Sequence, residues 1–90
     1  MAKYTVLLES QPEKYYRRVP RKIAEALKAC FIRLEADPRR HLGKIKKLEG
    51  YPDLYRFRVG SLRVIYEINE DKKEVAVVVI LPRGDVYKKL

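Results

Sequence analysis

The chain has 90 residues, with 21 Lys and Arg against 12 Asp and Glu, which gives a formal net charge of +9. This length predicts one domain with one modest hydrophobic core. A single Cys and a single His argue against a disulfide framework and against a transition-metal site. No apolar run approaches the length of a membrane span, so we expect a cytoplasmic protein with no membrane partner. The excess positive charge predicts a polyanionic partner, either nucleic acid or an acidic protein.

The N-terminal part of the chain predicts one strand followed by two helices. Alternating apolar residues indicate a strand over residues 3–9. The sequence Ser10-Gln11-Pro12-Glu13 has the form of a capping box, so a short helix is expected to begin there and to continue to about Arg18. A longer helix follows Pro20 and ends before Asp37. Its apolar stripe predicts a packed face: Ile23, Leu27, Cys30, Phe31 and Leu34.

The C-terminal part predicts three strands in close succession. Residues 39–47 hold five Lys and Arg and no acidic residue, which indicates an exposed connection or an irregular edge strand. Strands over 54–59, 62–69 and 74–81 follow, separated by loops of hairpin length. Residues 75–81 are apolar throughout, which predicts that the last strand is the central and most buried one. The order β-α-α-β-β-β predicts an α+β fold, a small antiparallel-dominated sheet with two N-terminal helices packed on one face.

A two-residue turn at Gly60-Ser61 would set the register of the strands that flank it. In that register Arg58 lies opposite Arg63, and Arg56 lies on the same side of the sheet, away from the helices. These three residues define the arginine face. Two guanidinium groups across a ladder cost from a few tenths to about 1 kcal/mol, so stability alone does not explain them. Such a face suits a phosphate backbone or charge developing on a phosphate, and the alternative is a solvated face whose arginines meet acidic groups elsewhere.

The segment after the last strand carries two further candidates. Pro82 is expected to end the strand, and Arg83 follows it beside Gly84, a position from which side chains commonly contact ligands. Tyr87 could stack on a base or donate its hydroxyl group. The alternative is that Tyr87 pins the C-terminal segment to the sheet.

The run from Leu54 to Gly60, followed by Arg63-Val64-Ile65-Tyr66, by Pro82-Arg83-Gly84 and by Tyr87, resembles the RelE/ParE superfamily of toxins. It is most similar to the archaeal RelE branch, as a single RelE-like toxin domain over residues 1–90. The resemblance implies a type II toxin that enters the A site of the 70S ribosome and cleaves mRNA without a metal or other cofactor. It also implies a RelB-like antitoxin, which the charge of +9 predicts to be acidic, and a toxin that is monomeric when free.

The resemblance implies a role for each of five residues. Arg83 matches the principal catalytic arginine, Arg63 a phosphate-stabilising arginine, and Tyr87 the active-site tyrosine. Arg56 and Arg58 stand where bacterial RelE has two lysines. Because arginine stays protonated, these two can orient the message and stabilise a pentacovalent phosphate but cannot readily act as general bases. The candidates for accepting the 2′-OH proton are therefore Tyr87, rRNA and water.

The basic connection supplies candidates for contact with rRNA phosphates: Arg39, Arg40, Lys44, Lys46 and Lys47. His41 lies in the same connection, outside the arginine face, and is assigned no catalytic role. Cys30 is expected to be a buried packing residue. Tyr15 and Tyr16 are expected to pack or to contact an antitoxin. Glu67 projects on the arginine side and is expected to form an ion pair with an arginine, and the alternative is that it acts as a base within reach of the site.

Two other functions are compatible with the same fold. A ParE-like protein would inhibit DNA gyrase through protein contact and would have no RNase activity, but that branch generally lacks the full basic set found in this chain. A catalytically degenerate RelE-fold protein would only bind RNA or its antitoxin, and the arginines at two lysine positions are consistent with that interpretation.

Overall fold

The computed structural model describes residues 3–40, 43–51 and 53–82. The elements within these ranges are β1 (Thr5–Leu8), α1 (Ser10–Arg18), α2 (Arg21–Ala36), β2 (Ile45–Lys47), β3 (Leu54–Val59), β4 (Leu62–Asn69) and β5 (Glu74–Pro82). The predicted α+β class, both helices and the predicted strands are confirmed. The basic connection contributes β2 as a short additional strand. Neither helix is long and apolar enough to cross a membrane, among the residues described.

Five strands form one mixed sheet in the order β1-β5-β4-β3-β2. β1 pairs with β5 in parallel, and the other neighbouring strands pair antiparallel. The central strand is β4, so the prediction that the last strand is central and most buried is wrong. Five consecutive residues of β4, Leu62 to Tyr66, are buried. β5 also has a strand on each side, and an internal strand in either position carries a continuous apolar run, so the run alone does not identify the centre.

The main core lies between α2 and one face of the sheet. Leu27 and Leu34 of α2 are fully buried against sheet residues that include Val64 and Val77. The buried face of α2 is therefore the one that its apolar stripe predicts, because residues three and four apart share one helix face. Ile23, the first residue of the predicted stripe, is the exception and is exposed.

Three predicted packing residues are confirmed in this core. Cys30 is 2% exposed, and burial raises the pKa of its thiol to about 12, so it stays neutral. Tyr15 and Tyr16 of α1 pack against the same cluster, and the Tyr16 ring meets Phe31 edge to face with centroids 5.5 Å apart.

The start of α1 differs from the prediction by one residue. Glu9 is the N-cap and makes no side-chain capping hydrogen bond, whereas Ser10 is already helical. The predicted capping box between Ser10 and Glu13 therefore does not form. The cause is tertiary, because the Glu9 N–H donates to the carbonyl of Val77 at 3.0 Å and so holds Glu9 in extended backbone beside β5.

Candidate active site

The turn between β3 and β4 sets the register of the arginine face. Gly60 has a φ of +56°, which glycine adopts without steric cost, and Ser61 has no positive φ. This is the pattern of the predicted two-residue turn with glycine in its first central position. Arg58 lies opposite Arg63, and Arg56 lies opposite Ile65, as predicted. Directly opposite residues of an antiparallel pair point to the same face, so the three arginines share the face that the helices leave open.

The edge strand β2 brings further cations to this face. Lys46 lies directly opposite Arg56, and the Arg58 N–H donates to the carbonyl of Lys44 at 2.9 Å. Adjacent strands are about 4.8 Å apart, so Lys46, Arg56, Arg58 and Arg63 form a continuous patch across three strands. Two of the five predicted rRNA-binding residues, Lys44 and Lys46, are therefore placed beside the arginine face.

Arg63 is held against the hairpin that precedes it. The residue is only 7% exposed. Its Nη1 donates to the carbonyl of Gly60 at 3.1 Å and to that of Leu62 at 2.9 Å. The guanidinium group is thus fixed in orientation and largely desolvated. A cation fixed in this way interacts with a phosphate more strongly than a mobile one in bulk water, because less solvent screens it and no reorganisation is needed.

Arg56 and Arg58 differ from Arg63 and from each other in exposure. Arg58 is exposed, and Arg56 is partly buried. The Nε atom of Arg56 is fully buried and has no hydrogen-bond partner among the residues that the structure describes. A buried donor without an acceptor carries an energetic penalty, so stability alone does not account for an arginine at this position.

A second apolar cluster forms the floor of the arginine face. Leu48, Ile65 and Leu81 are buried there, with Leu54 and Val79 packed against them. Ile65 lies opposite Arg56, and Leu81 lies opposite Arg63. Apolar neighbours lower the local dielectric and strengthen the attraction between these cations and a bound phosphate. This floor was not predicted, although the uninterrupted apolar run over residues 75–81 indicates that both faces of that strand are covered.

Arg39 is placed at the other end of the sheet. Its Nη1 lies 2.6 Å from Oε2 of Glu70, which follows β4. Glu70 is seven residues beyond Arg63 along the chain, which corresponds to roughly 20 Å of extended strand. Hydrogen bonds from Lys73 and then from Arg39 lower the pKa of the Glu70 carboxyl to about 2. Arg39 is therefore engaged in a local ion-pair network with Glu70 and Lys73.

The remaining predicted residues fall into two groups. Lys47 lies opposite Tyr55 and so belongs to the helix side of the sheet, and Arg40 is exposed next to Arg39. Arg83, Tyr87 and His41 lie outside the described residues.

Glu67 does not form the predicted ion pair with an arginine in the described part of the chain. It is exposed and lines an acidic cavity of about 430 Å³, together with Asp53, Glu70, Asp71 and Glu74. Within residues 3–40, 43–51 and 53–82, no group of three His, Cys, Asp or Glu residues is arranged to hold a metal ion.

Comparisons with known proteins agree with this architecture. A chain of the crystal structure of the archaeal RelE–RelB complex from Pyrococcus horikoshii is 32% identical, with a TM-score of 0.80 over 91% of this chain and 97% of that one. A chain of the RelB–RelE antitoxin–toxin complex from Methanococcus jannaschii is 27% identical, with a TM-score of 0.71 over 93% and 98%. The isolated RelE toxin of E. coli is 24% identical, with a TM-score of 0.76 over 96% and 93%, and at that identity the likeness concerns the fold.

Comparison of the sequence with protein-family models supports the same conclusion, whereas comparison with curated sequences finds no match. The family model described as the ParE toxin of the type II toxin–antitoxin system parDE matches residues 2–87, which is nearly the whole chain. The resemblance inferred from the arginine-rich strands is thereby confirmed, and the chain belongs to the ParE toxin family, within the RelE/ParE superfamily of type II toxins.

Proposed function

We propose that this protein is a RelE-type toxin that cleaves mRNA in the ribosomal A site. The observation that carries the proposal is the cationic patch of Lys46, Arg56, Arg58 and Arg63 around an apolar floor. Like charges at opposite strand positions reduce sheet stability, so a bound polyanion is the physical reason for keeping them. The likeness to chains of two archaeal RelE–RelB complexes, at 32% and 27% identity, favours RelE among the members of the superfamily.

In the proposed reaction the ribose 2′-OH of the message attacks the adjacent phosphate. The phosphorus gains one oxygen bond and loses its bond to the 5′ oxygen of the next nucleotide, which leaves a 2′,3′-cyclic phosphate and a free 5′-OH. Arg63, fixed and desolvated, stabilises the charge of the pentacovalent phosphate, and Arg56 donates to a phosphate oxygen. Arg58 and Lys46 bind flanking phosphates. The nucleophile belongs to the RNA and cationic side chains stabilise the developing charge, so the reaction that we propose, like that implied by the resemblance, is metal-independent.

Proton transfer is assigned to groups other than the arginines. Arg56 and Arg58 remain protonated and act through charge and orientation alone. Arg83, the principal catalytic arginine by resemblance, follows directly after Pro82 at the end of β5. The hydroxyl of Tyr87, an rRNA group or water accepts the 2′-OH proton. Catalysis by this toxin therefore rests mainly on electrostatic stabilisation and positioning.

The proposed partners follow from the relatives and from the charge. Two similar chains were solved in complexes with RelB antitoxins. A net charge of +9 favours an acidic antitoxin that covers the cationic face and so blocks access to RNA. We infer a RelB-like acidic antitoxin, a cytoplasmic toxin that is monomeric when free, and the 70S ribosome with its mRNA as the target.

The proposal is tested by primer extension on a message incubated with purified protein, with and without 70S ribosomes. Discrete cuts that require ribosomes are expected from the wild type. Arg83→Ala is expected to lower the cleavage rate by roughly 100-fold or more, because one preorganised donor at a developing charge is worth about that much. The matched control is Arg33→Ala, which removes an exposed arginine of α2 and is expected to change the rate less than twofold.

The same preparation decides between the alternatives. Because the matching family model is that of ParE, gyrase supercoiling is assayed in parallel. Inhibition of gyrase without any mRNA cuts would replace the proposal by a ParE-like function. No effect in either assay, with binding to RNA or antitoxin retained, would identify a degenerate toxin.

A further inference from the structure

The C-terminal part of β5 extends beyond the strand beside it. β1 pairs with β5 only as far as Leu8 opposite Val77, and the Glu9 N–H makes the last backbone bond of this pairing. The chain then turns into α1. Residues 78–82 of β5 therefore have no neighbouring strand on that side in the described part of the chain. Backbone groups along such an edge need other hydrogen-bond partners.

Gln11, in the first turn of α1, supplies those hydrogen bonds at Ile80. Its Nε2 donates to the carbonyl of Ile80 at 2.9 Å, and its Oε1 accepts from the Ile80 N–H at 2.9 Å. One side-chain amide thus replaces both bonds that a neighbouring strand would make. The two residues are 69 positions apart in the sequence, so the contact ties the start of α1 to the end of the sheet.

A small displacement of the backbone at Ile80 would also shift the neighbouring residues of the arginine face. The next residue, Leu81, lies opposite Arg63 and belongs to the apolar floor. The ladder between β4 and β5 is also irregular just before this point, with a register shift between Ile65 and Tyr66 that leaves Val78 unpaired. Beyond the irregularity β5 pairs with β4 on one edge, and the Gln11 amide anchors its other edge at Ile80.

Within the described residues, the Gln11 contact is the last anchor on this edge of β5, because Pro82 cannot form an equivalent one. Alternate strand residues point their backbone groups to the same side, so Pro82 faces the same way as Ile80. Proline has no N–H and cannot repeat the two-bond clamp. The clamp at Ile80 therefore precedes Arg83 by three residues, with no equivalent clamp possible at Pro82.

We propose that Gln11 is a positioning residue for the active site. Its amide fixes the backbone of Ile80 and thereby that of Leu81, which lies opposite Arg63 in the arginine face. This inference rests on the proposed function, which gives Arg63 its role at the phosphate. Loss of the clamp lets the strand end move, and displacements of about 1 Å at a catalytic group can reduce rates by about 100-fold.

The test is Gln11→Met, which keeps the side-chain length and the helix propensity and removes both hydrogen bonds. The cleavage rate at saturating ribosomes is expected to fall about tenfold or more, with the half-saturating ribosome concentration changed less than about twofold. In the free protein, hydrogen exchange of the Ile80 amide is expected to accelerate about tenfold relative to the slowest core amides.

Tyr66→Phe is the matched control, because it also removes a side-chain hydrogen bond between the sheet and a segment distant in sequence, here the connection that follows α2. The Tyr66 hydroxyl donates to the carbonyl of Pro38 at 2.6 Å, away from the arginine face. This variant is expected to lose stability but to keep the cleavage rate of the folded protein within about twofold. If Gln11→Met loses no more activity than Tyr66→Phe, or if its Ile80 amide exchanges no faster than in the wild type, the positioning role is excluded.

One further measurement separates this inference from the proposed function. If the wild type cuts no message, NMR relaxation of the Arg63 side chain is compared between the wild type and Gln11→Met. Faster motion of Arg63 in the variant supports the clamp, and equal motion overturns it, whatever the biochemical activity of the toxin.

Discussion

The two faces of the sheet are organised on different principles. On the helix face, apolar residues such as Leu27, Leu34 and Val64 are completely buried and account for most of the core. On the arginine face, a small apolar floor is surrounded by cations, two of which lie directly opposite each other. The comparison shows that stability is concentrated on one face of the sheet. The other face can therefore carry charge repulsion that a sheet selected for stability alone would avoid.

The two ends of the sheet show the same contrast for charged residues. At the turn between β4 and β5, Arg39 and Lys73 both bind Glu70. At the turn between β3 and β4, Arg58 lies opposite another arginine instead of a carboxylate. The first arrangement neutralises its cations locally, whereas the second places cations side by side where a polyanion can bind them.

The largest effect is expected from a substitution in the helix-face core. Leu34→Ala removes a completely buried side chain and should lower the free energy of unfolding by about 3 kcal/mol. Denaturant unfolding measures this change. The control is Ile32→Ala on the same helix, where the side chain is 55% exposed and the cost should stay below about 0.5 kcal/mol. Equal losses in the two variants would contradict the concentration of stability on this face.

A substitution on the arginine face is expected to have a smaller effect, in which the free energy of unfolding rises and the cleavage rate falls. Arg58→Gln removes the repulsion with Arg63 and should raise the free energy of unfolding by a few tenths to about 1 kcal/mol. Cleavage on ribosomes should fall by about tenfold, because the variant lacks a cation that we propose to contact RNA. The control Lys28→Gln, on the exposed side of α2, should change neither the free energy of unfolding nor the cleavage rate. A less stable Arg58→Gln variant would show that the opposed arginines do not repel each other.

The smallest effect concerns the carboxyl of Glu70 and its dependence on pH. Its folded pKa of about 2 lies below the ordinary value of 4.5, so its contribution to stability is present above about pH 4.5 and is lost as the pH falls toward 2. The difference in stability between the wild type and Glu70→Gln should therefore close over this range. Because Glu70 is exposed, the difference should also shrink in about 1 M salt. A difference that stays constant from pH 6 to 2 would contradict the network.

Local patterns in the sequence predict local structure well in this protein. The register of β3 and β4 follows from the turn at Gly60-Ser61, because a two-residue turn leaves only one way to pair the flanking residues. The apolar stripe of α2 likewise predicts its buried face, apart from the exposed Ile23.

Features that depend on distant partners could not be predicted in this way. The Glu9–Val77 bond overrides the capping box at Ser10. Nothing near Arg39 indicates that its partner is Glu70, 31 residues away, and a run of basic residues looks the same whether or not its members are paired. Gln11 occupies an unspecified position of the capping-box sequence, and its bonds to Ile80 arise only when β5 is placed beside α1.

The parallel pairing of β1 with β5 has a consequence for folding while the chain is being synthesised. Thr5 finds its partner only when Glu74 has been synthesised. At 5–20 residues per second this takes roughly 3 to 14 seconds, during which the partner strand of β1 is absent. Pairing across such a separation in sequence also closes slowly, because the loop entropy is lost before the contacts form. The parallel pair of the sheet is therefore completed late in translation, after β3 and β4, the strands that carry Arg56, Arg58 and Arg63, have been synthesised.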